Sequence, residues 1–136
     1  MFVGFAGAIL LIEIVLRIYD PLKLPAEDLR GFYRLDAHGR IETAPGWTGN
    51  QVVDGRAIPI RMNSLGLRGP EIPARGPDER RVLMLGDSFV WGMGVLDGET
   101  IPARLEERLR AGGKKATVGN AGMYGTSPRE WGYTLD

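Results

Sequence analysis

Four apolar residues in succession, Val82-Leu83-Met84-Leu85, constrain the fold of this 136-residue sequence more than any other feature. The run is too short for a globular helix and lacks the alternation of a half-exposed strand. It predicts a strand buried on both faces, as in a parallel sheet covered by helices. Gly86-Asp87-Ser88 ends it. A helix follows, with Thr100 as its N-cap and Pro102 in its first turn. Ile101, Leu105 and Leu109 recur at i, i+4 and i+8 to give one apolar face, Glu106 precedes Arg110 by four residues as an exposed pair, and Gly112-Gly113 terminate the helix. Lys115 to Val118 predicts a second strand, and Ser127-Pro128 starts another helix. Strand, helix, strand, helix is a βαβ arrangement with a right-handed crossover. Two strands do not make a stable doubly covered sheet, so residues 80–136 are expected to be the first part of an incomplete α/β domain.

The preceding sequence has a different character. Residues 31–79 show no helical periodicity and read as a small β-rich annex. Within it, Gln51 to Val53 and Ala57 to Met62 flank Asp54-Gly55, a hairpin turn signal. The polar, structure-breaking Gly76 to Arg80 marks the boundary. Met1 to Tyr19 is apolar apart from Glu13 and Arg17, which can pair at i+4, and is just long enough for a hydrocarbon core of roughly 30 Å. The expectation is a single-pass membrane anchor over residues 1–19, with a juxtamembrane linker over 20–30 broken by Pro21 and Pro25; the alternative is an apolar helix buried in soluble protein. The expected location is a membrane with the following domain extracytoplasmic, although Arg17, Lys23 and Arg30 after the run favour a cytoplasmic remainder by the positive-inside rule.

Composition removes whole classes of function. Seventeen basic and 17 acidic residues cancel, so no general attraction to nucleic acid exists, and no nucleic-acid partner is expected. The chain has no cysteine, which excludes disulfides, thiolate zinc sites and cysteine nucleophiles, and one histidine, His38. Neither a metal nor a cofactor is expected. Gly86-x-Ser88-x-Val90 lacks the final glycine of the α/β-hydrolase elbow. Gly92 and Gly94 do not complete a dinucleotide fingerprint, because Asp97 stands at the third glycine, and no P-loop is present.

The chemistry-bearing residues lie where the first strand ends. Ser88 sits at the carboxyl end of a buried strand, where open α/β sheets bind ligands. A serine hydroxyl attacks an acyl carbonyl once a base takes its proton and donors receive the oxyanion, and the Ser88 N–H is one candidate donor. Gly86-Asp87-Ser88-Phe89 after a hydrophobic strand resembles the first block of the SGNH/GDSL hydrolases. Asn120-Ala121-Gly122-Met123-Tyr124-Gly125 is similar to the family's second block. Asn63-Ser64-Leu65-Gly66-Leu67-Arg68-Gly69 resembles the lead-in of its anchored bacterial members.

The resemblance implies a three-layer flavodoxin-like SGNH sandwich, incomplete here, and a serine esterase acting through an acyl-Ser88 intermediate. Ser88 and Gly125 are the implied oxyanion donors, with Asp87 and Asn120 in support. The implied substrates are ester-bearing small molecules or polysaccharides, O-acetyl groups among them. The family's Gly-x-Asn-Asp block, source of a third donor, and its Asp-x-x-His block, source of the base, do not occur in this sequence. His38 has no Asp three residues ahead and reads as a solvent-facing turn residue. The chain as given is therefore expected to be inactive by itself. Two alternatives stand beside hydrolysis: acyl transfer to an envelope polysaccharide, and a non-catalytic anchored fragment.

Several residues carry a plainer reading too. Ser88 reads also as a helix N-cap with Asp87 as a turn residue, Gly122 and Gly125 as left-handed turn positions, and Asn120 as a backbone brace. Trp91 reads equally as packing or as substrate contact. Asn63, Gly66 and Arg68 read as a surface turn with an ion pair, and Asp97 and Glu99 as loop and helix-start charges.

Overall fold

The computed structural model describes residues 2–19 and 29–133. Most of the expected linker, residues 20–28, lies outside the described residues, as do Met1 and residues 134–136. The fold is mixed α/β, with three two-stranded sheets among the described residues. Helix α1 is Phe2–Tyr19; strands β1 (Tyr33–Leu35), β2 (Ile41–Thr43), β3 (Thr48–Val53) and β4 (Arg56–Arg61) follow. Then come β5 (Arg80–Gly86), α2 (Ser88–Trp91), α3 (Ile101–Ala111), β6 (Ala116–Gly122) and α4 (Pro128–Tyr133).

In the annex, β1 and β2 pair antiparallel around a turn organised by Asp36. Its carboxylate accepts from the backbone N–H groups of His38 and Arg40 and from Arg40 Nε at 2.7 Å. These donors hold the Asp36 pKa down at about 2. The expected second hairpin forms between β3 and β4, with Asp54 at φ 49° and Gly55 at φ 73° making the turn. Alternation along β4 buries Ile58 and Ile60 and leaves Ala57 and Pro59 exposed. Ile58 and Ile60, with Phe32, Met62 and Trp91, form the core. Phe32 packs edge-on against Trp47 at 4.9 Å and Trp91 at 5.2 Å between ring centroids. Because Trp91 belongs to α2, the annex and the βαβ portion share that core.

Strands β5 and β6 pair in parallel from Arg80↔Ala116 to Gly86↔Gly122. Strand β6 is buried along its whole length and runs four residues beyond the Val118 end expected from sequence, to Gly122. Burial of β5 on both faces is not observed. Val82 is 37% and Leu83 42% exposed, and as consecutive strand residues they point to opposite faces. The reason is unequal cover: among the described residues β5 pairs with β6 alone, whereas the second edge of β6 is closed by other groups. Arg68 N donates to Asn120 O at 3.0 Å, Val118 N to Glu106 Oε2 at 2.7 Å, and Arg110 Nε to Ala116 O at 2.9 Å. Glu106 and Arg110 do pair, at 2.8 Å, but their second function is to cap this strand edge, so an exposed pair is too simple a description. Helix α3 begins at the expected cap, with Thr100 Oγ1 accepting from Ala103 N. Its buried residue is Pro102, while Ile101 is 52% exposed, outside the apolar face expected for it.

Helix α1 carries its apolar side chains exposed, from Phe5 at 70% to Ile18 at 81%. Glu13 and Arg17 pair across one turn at 2.7 Å. Among the described residues no helix is long and apolar enough to cross a membrane. The 18 residues of α1 rise only about 27 Å at 1.5 Å each, and two charged residues interrupt them.

Candidate active site

The turn after β5 is shaped by close packing. A Cβ on Gly86 would lie 2.3 Å from Val90 Cγ2, so only glycine lets α2 fold back over the strand end. Asp87 is extended (φ −90°, ψ −150°) and caps α2 through its side chain, which accepts from Phe89 N at 3.0 Å. The cap is therefore Asp87, and Ser88 is the first helical residue. Its hydroxyl and backbone N–H have no hydrogen-bond partner among the described residues, while its carbonyl accepts from Gly92 N and Met93 N. Gly92, at φ 90°, closes the short helix.

The second turn leaves the neighbouring strand end. Met123 N donates to Gly86 O at 2.9 Å, extending the parallel ladder one step past Gly122. A Cβ on Gly122 would lie 2.2 Å from Trp91 N. Gly122 thus serves close approach of α2 to β6, and its φ is not positive. Asn120 braces the same contact, accepting from Gly122 N at 3.0 Å and donating to Trp91 O at 3.2 Å. Beyond it, Thr126 Oγ1 donates to Met123 O at 2.7 Å and Tyr33 OH donates to Tyr124 O. Gly125 adopts φ 75°, and its N–H has no partner among the described residues. The register brings Ser88, two residues past Gly86, and Gly125, three past Gly122, to one carboxyl edge of the sheet.

The lead-in segment turns out to be an internal clasp. Arg68, 4% exposed, donates through Nε to Asp97 Oδ1 at 2.9 Å, and through Nη1 and Nη2 to the carbonyls of Trp91, Gly92 and Val95. Its guanidinium also lies 4.9 Å from the Trp91 ring centroid. Burial lowers its pKa, and the Asp97 carboxylate opposes that shift. Asn63 folds its own loop, accepting from Leu65 N and Leu67 N and donating to Pro70 O. The surface-turn reading of Asn63 and Arg68 fails because both are buried. Asp97 is the partner of Arg68 and not merely a loop charge. Trp91 packs at 2% exposure, with its Nε1 unpaired, and does not reach outward as a substrate contact would.

Gly125 borders an open cleft of about 400 Å³ with Tyr33, Leu35, Ile41, Tyr124 and Thr126. A second cavity of about 270 Å³ lies between the annex and β6, lined by Arg40, Thr43, Gly66 and Ala121 among others. Ser88 lines neither of them. His38 is exposed on the β1–β2 turn, and no hydrogen bond joins it to Ser88. Among the described residues no cluster of three His, Cys, Asp or Glu side chains is placed to hold a metal ion.

Neither the known family models nor the curated proteins match this chain. Among solved structures, it is similar in part to AlinE4, described as an SGNH-hydrolase family esterase, at 37% identity and a TM-score of 0.38. The match covers 42% of this chain and 30% of that one, so this chain spans less than a third of the solved relative.

Proposed function

We propose that the chain carries the nucleophile-bearing part of a serine esterase of the SGNH/GDSL type, with β5, α3 and β6 as the first βαβ portion of a three-layer flavodoxin-like sandwich. One observation carries this reading: the paired strand ends Gly86 and Gly122 lead into two turns, one with a serine whose hydroxyl and N–H have no partner among the described residues and one with a glycine whose N–H has none. In the proposed reaction Ser88 Oγ attacks the ester carbonyl, and the Ser88 and Gly125 N–H groups receive the oxyanion. Collapse expels the alcohol and leaves acyl-Ser88, which water hydrolyses. The hydroxyl proton needs a base, and His38 is not placed to take it. The reading therefore requires a histidine that residues 1–136 do not contain, in the Asp-x-x-His block of the resemblance. Short acyl esters, including O-acetyl groups on polysaccharide, are the proposed substrates.

The test is turnover of p-nitrophenyl acetate. A polypeptide that also carries an Asp-x-x-His segment should hydrolyse it, Ser88→Ala should abolish this with an unchanged circular dichroism spectrum, and residues 1–136 alone should not exceed the Ser88→Ala background. Turnover that survives Ser88→Ala would remove Ser88 from the reaction.

Membrane attachment through residues 1–19 is proposed separately, on the exposed apolar surface of α1. The chain should co-sediment with phosphatidylcholine vesicles and lose that property when residues 1–19 are deleted; binding unchanged by the deletion would refute it.

A further inference from the structure

The annex reaches the candidate site through one side chain. Tyr33, the first residue of β1, donates its hydroxyl to the carbonyl of Tyr124. That carbonyl belongs to the same peptide unit as the Gly125 N–H. A trans peptide is planar, with C=O and N–H pointing in opposite directions, so a donor holding the oxygen also sets the direction of the N–H. The preceding peptide is held in the same way, by Thr126 Oγ1 on Met123 O at 2.7 Å. Thr126 is in turn held by Trp131 Nε1 at 3.0 Å. Two consecutive carbonyls of this turn are thus tied by side chains, and the Gly125 N–H is left open. Gly125 itself, at φ 75° with no atom within 4 Å of a notional Cβ, is not fixed by packing from its own side.

We infer that Tyr33 is a positioning residue: by donating to Tyr124 O it fixes the Tyr124–Gly125 peptide plane, so that the Gly125 N–H points away from Tyr33 and is presented to a developing oxyanion. The inference rests on the esterase reading for its use, but not for the geometry. A hydrogen bond to the carbonyl also polarises the peptide and strengthens its N–H as a donor. Burial, with Tyr124 adding to it, pushes the Tyr33 pKa up to about 12, so the phenol remains a protonated donor through the neutral range.

Tyr33→Phe removes the hydroxyl and retains the ring that packs on Phe32 at 4.5 Å. In the full chain, isotope-edited NMR should show the Tyr124 carbonyl-carbon and Gly125 amide resonances displaced by Tyr33→Phe. Arg104→Gln, on the exposed side of α3 and paired with Glu107, should leave both in place. In a form of the protein with Ser88-dependent turnover, Tyr33→Phe should lower kcat about tenfold, short of the 10²–10³ lost with a whole oxyanion donor. KM and the pH profile should stay put. Unmoved Tyr124 and Gly125 resonances would overturn the inference, as would displaced resonances with unchanged kcat. If no form turns over ester through Ser88, the esterase reading fails, and the resonances alone decide whether Tyr33 sets the peptide.

Discussion

Arg68 is the residue on which the approach of the lead-in loop to α2 depends. Its donors satisfy three carbonyls around the end of α2 as well as the Asp97 carboxylate. Arg68→Ala would take one donor from each carbonyl, leaving Trp91 O to Asn120 Nδ2 and Gly92 O to Val95 N, and would remove the counter-charge of the partly exposed Asp97, at a cost of about 1–3 kcal/mol. Arg68→Lys should recover only part of that loss, because a single ammonium cannot reproduce the planar fork. Urea midpoints at unchanged m-value measure both. The glycines separate two mechanisms. Gly122→Ala forces a Cβ against Trp91 N at 2.2 Å and should cost more than about 3 kcal/mol, beyond the usual overpacking range. Gly125→Ala meets open space and should cost only the about 1–2 kcal/mol of left-handed backbone. Equal midpoint shifts for the two would contradict this distinction. Sequence showed that Asn63, Gly66 and Arg68 form a pattern, but not that the pattern points inward. An arginine near a turn reads as exposed until the carbonyls it serves, 23 to 27 residues later in the chain, are brought to it by the fold.

Among the elements, the β3–β4 hairpin, helix α3 with its Thr100 cap, and the helix beginning at Ser127-Pro128 were all legible, because their signals are local: a turn dipeptide, a cap, a proline. The extent of β6 was not, because Gly119, Asn120 and Gly122 are poor strand formers held extended by pairing with β5. Nor was the exposure of β5, since an apolar run records what a strand can bury and not what is present to cover it. The amino end of this sheet is tied by Glu79, whose carboxylate accepts from Thr117 Oγ1, from Gly76 N at 2.8 Å and from Arg81. Chiefly through the Thr117 and Gly76 bonds, its pKa falls from 4.5 to about 2. A carboxyl group depressed on folding stabilises above its unfolded pKa, and that stabilisation is lost as pH falls toward the folded value. The native chain should therefore exceed Glu79→Gln in urea midpoint at pH 6, and the gap should close between pH 4.5 and about 2. Asp36, also held at about 2, titrates in both proteins and cancels from the difference. A gap independent of pH would assign the effect of Glu79→Gln to packing.

At the scale of the whole molecule, annex and sheet form one support for the proposed chemistry. Phe32, Ile58 and Ile60 pack with Trp91, Arg68 ties the lead-in to the end of α2, and Tyr33 holds the Gly125 turn. The candidate nucleophile and first donor were visible in the sequence because an apolar run ending in Gly-Asp-Ser is a local pattern. The part played by the annex was not, since Tyr33 and Tyr124 stand 91 residues apart. The central claim is that Ser88 forms an acyl intermediate, and mass spectrometry of rapidly quenched reactions tests it most directly. With p-nitrophenyl acetate and a polypeptide carrying the Asp-x-x-His segment, the account predicts an acetyl group on the peptide containing Ser88, formed during the first turnover and absent from Ser88→Ala. Ester turnover with the Ser88 peptide unmodified at every quench time, or the acetyl group on a different residue, would contradict it.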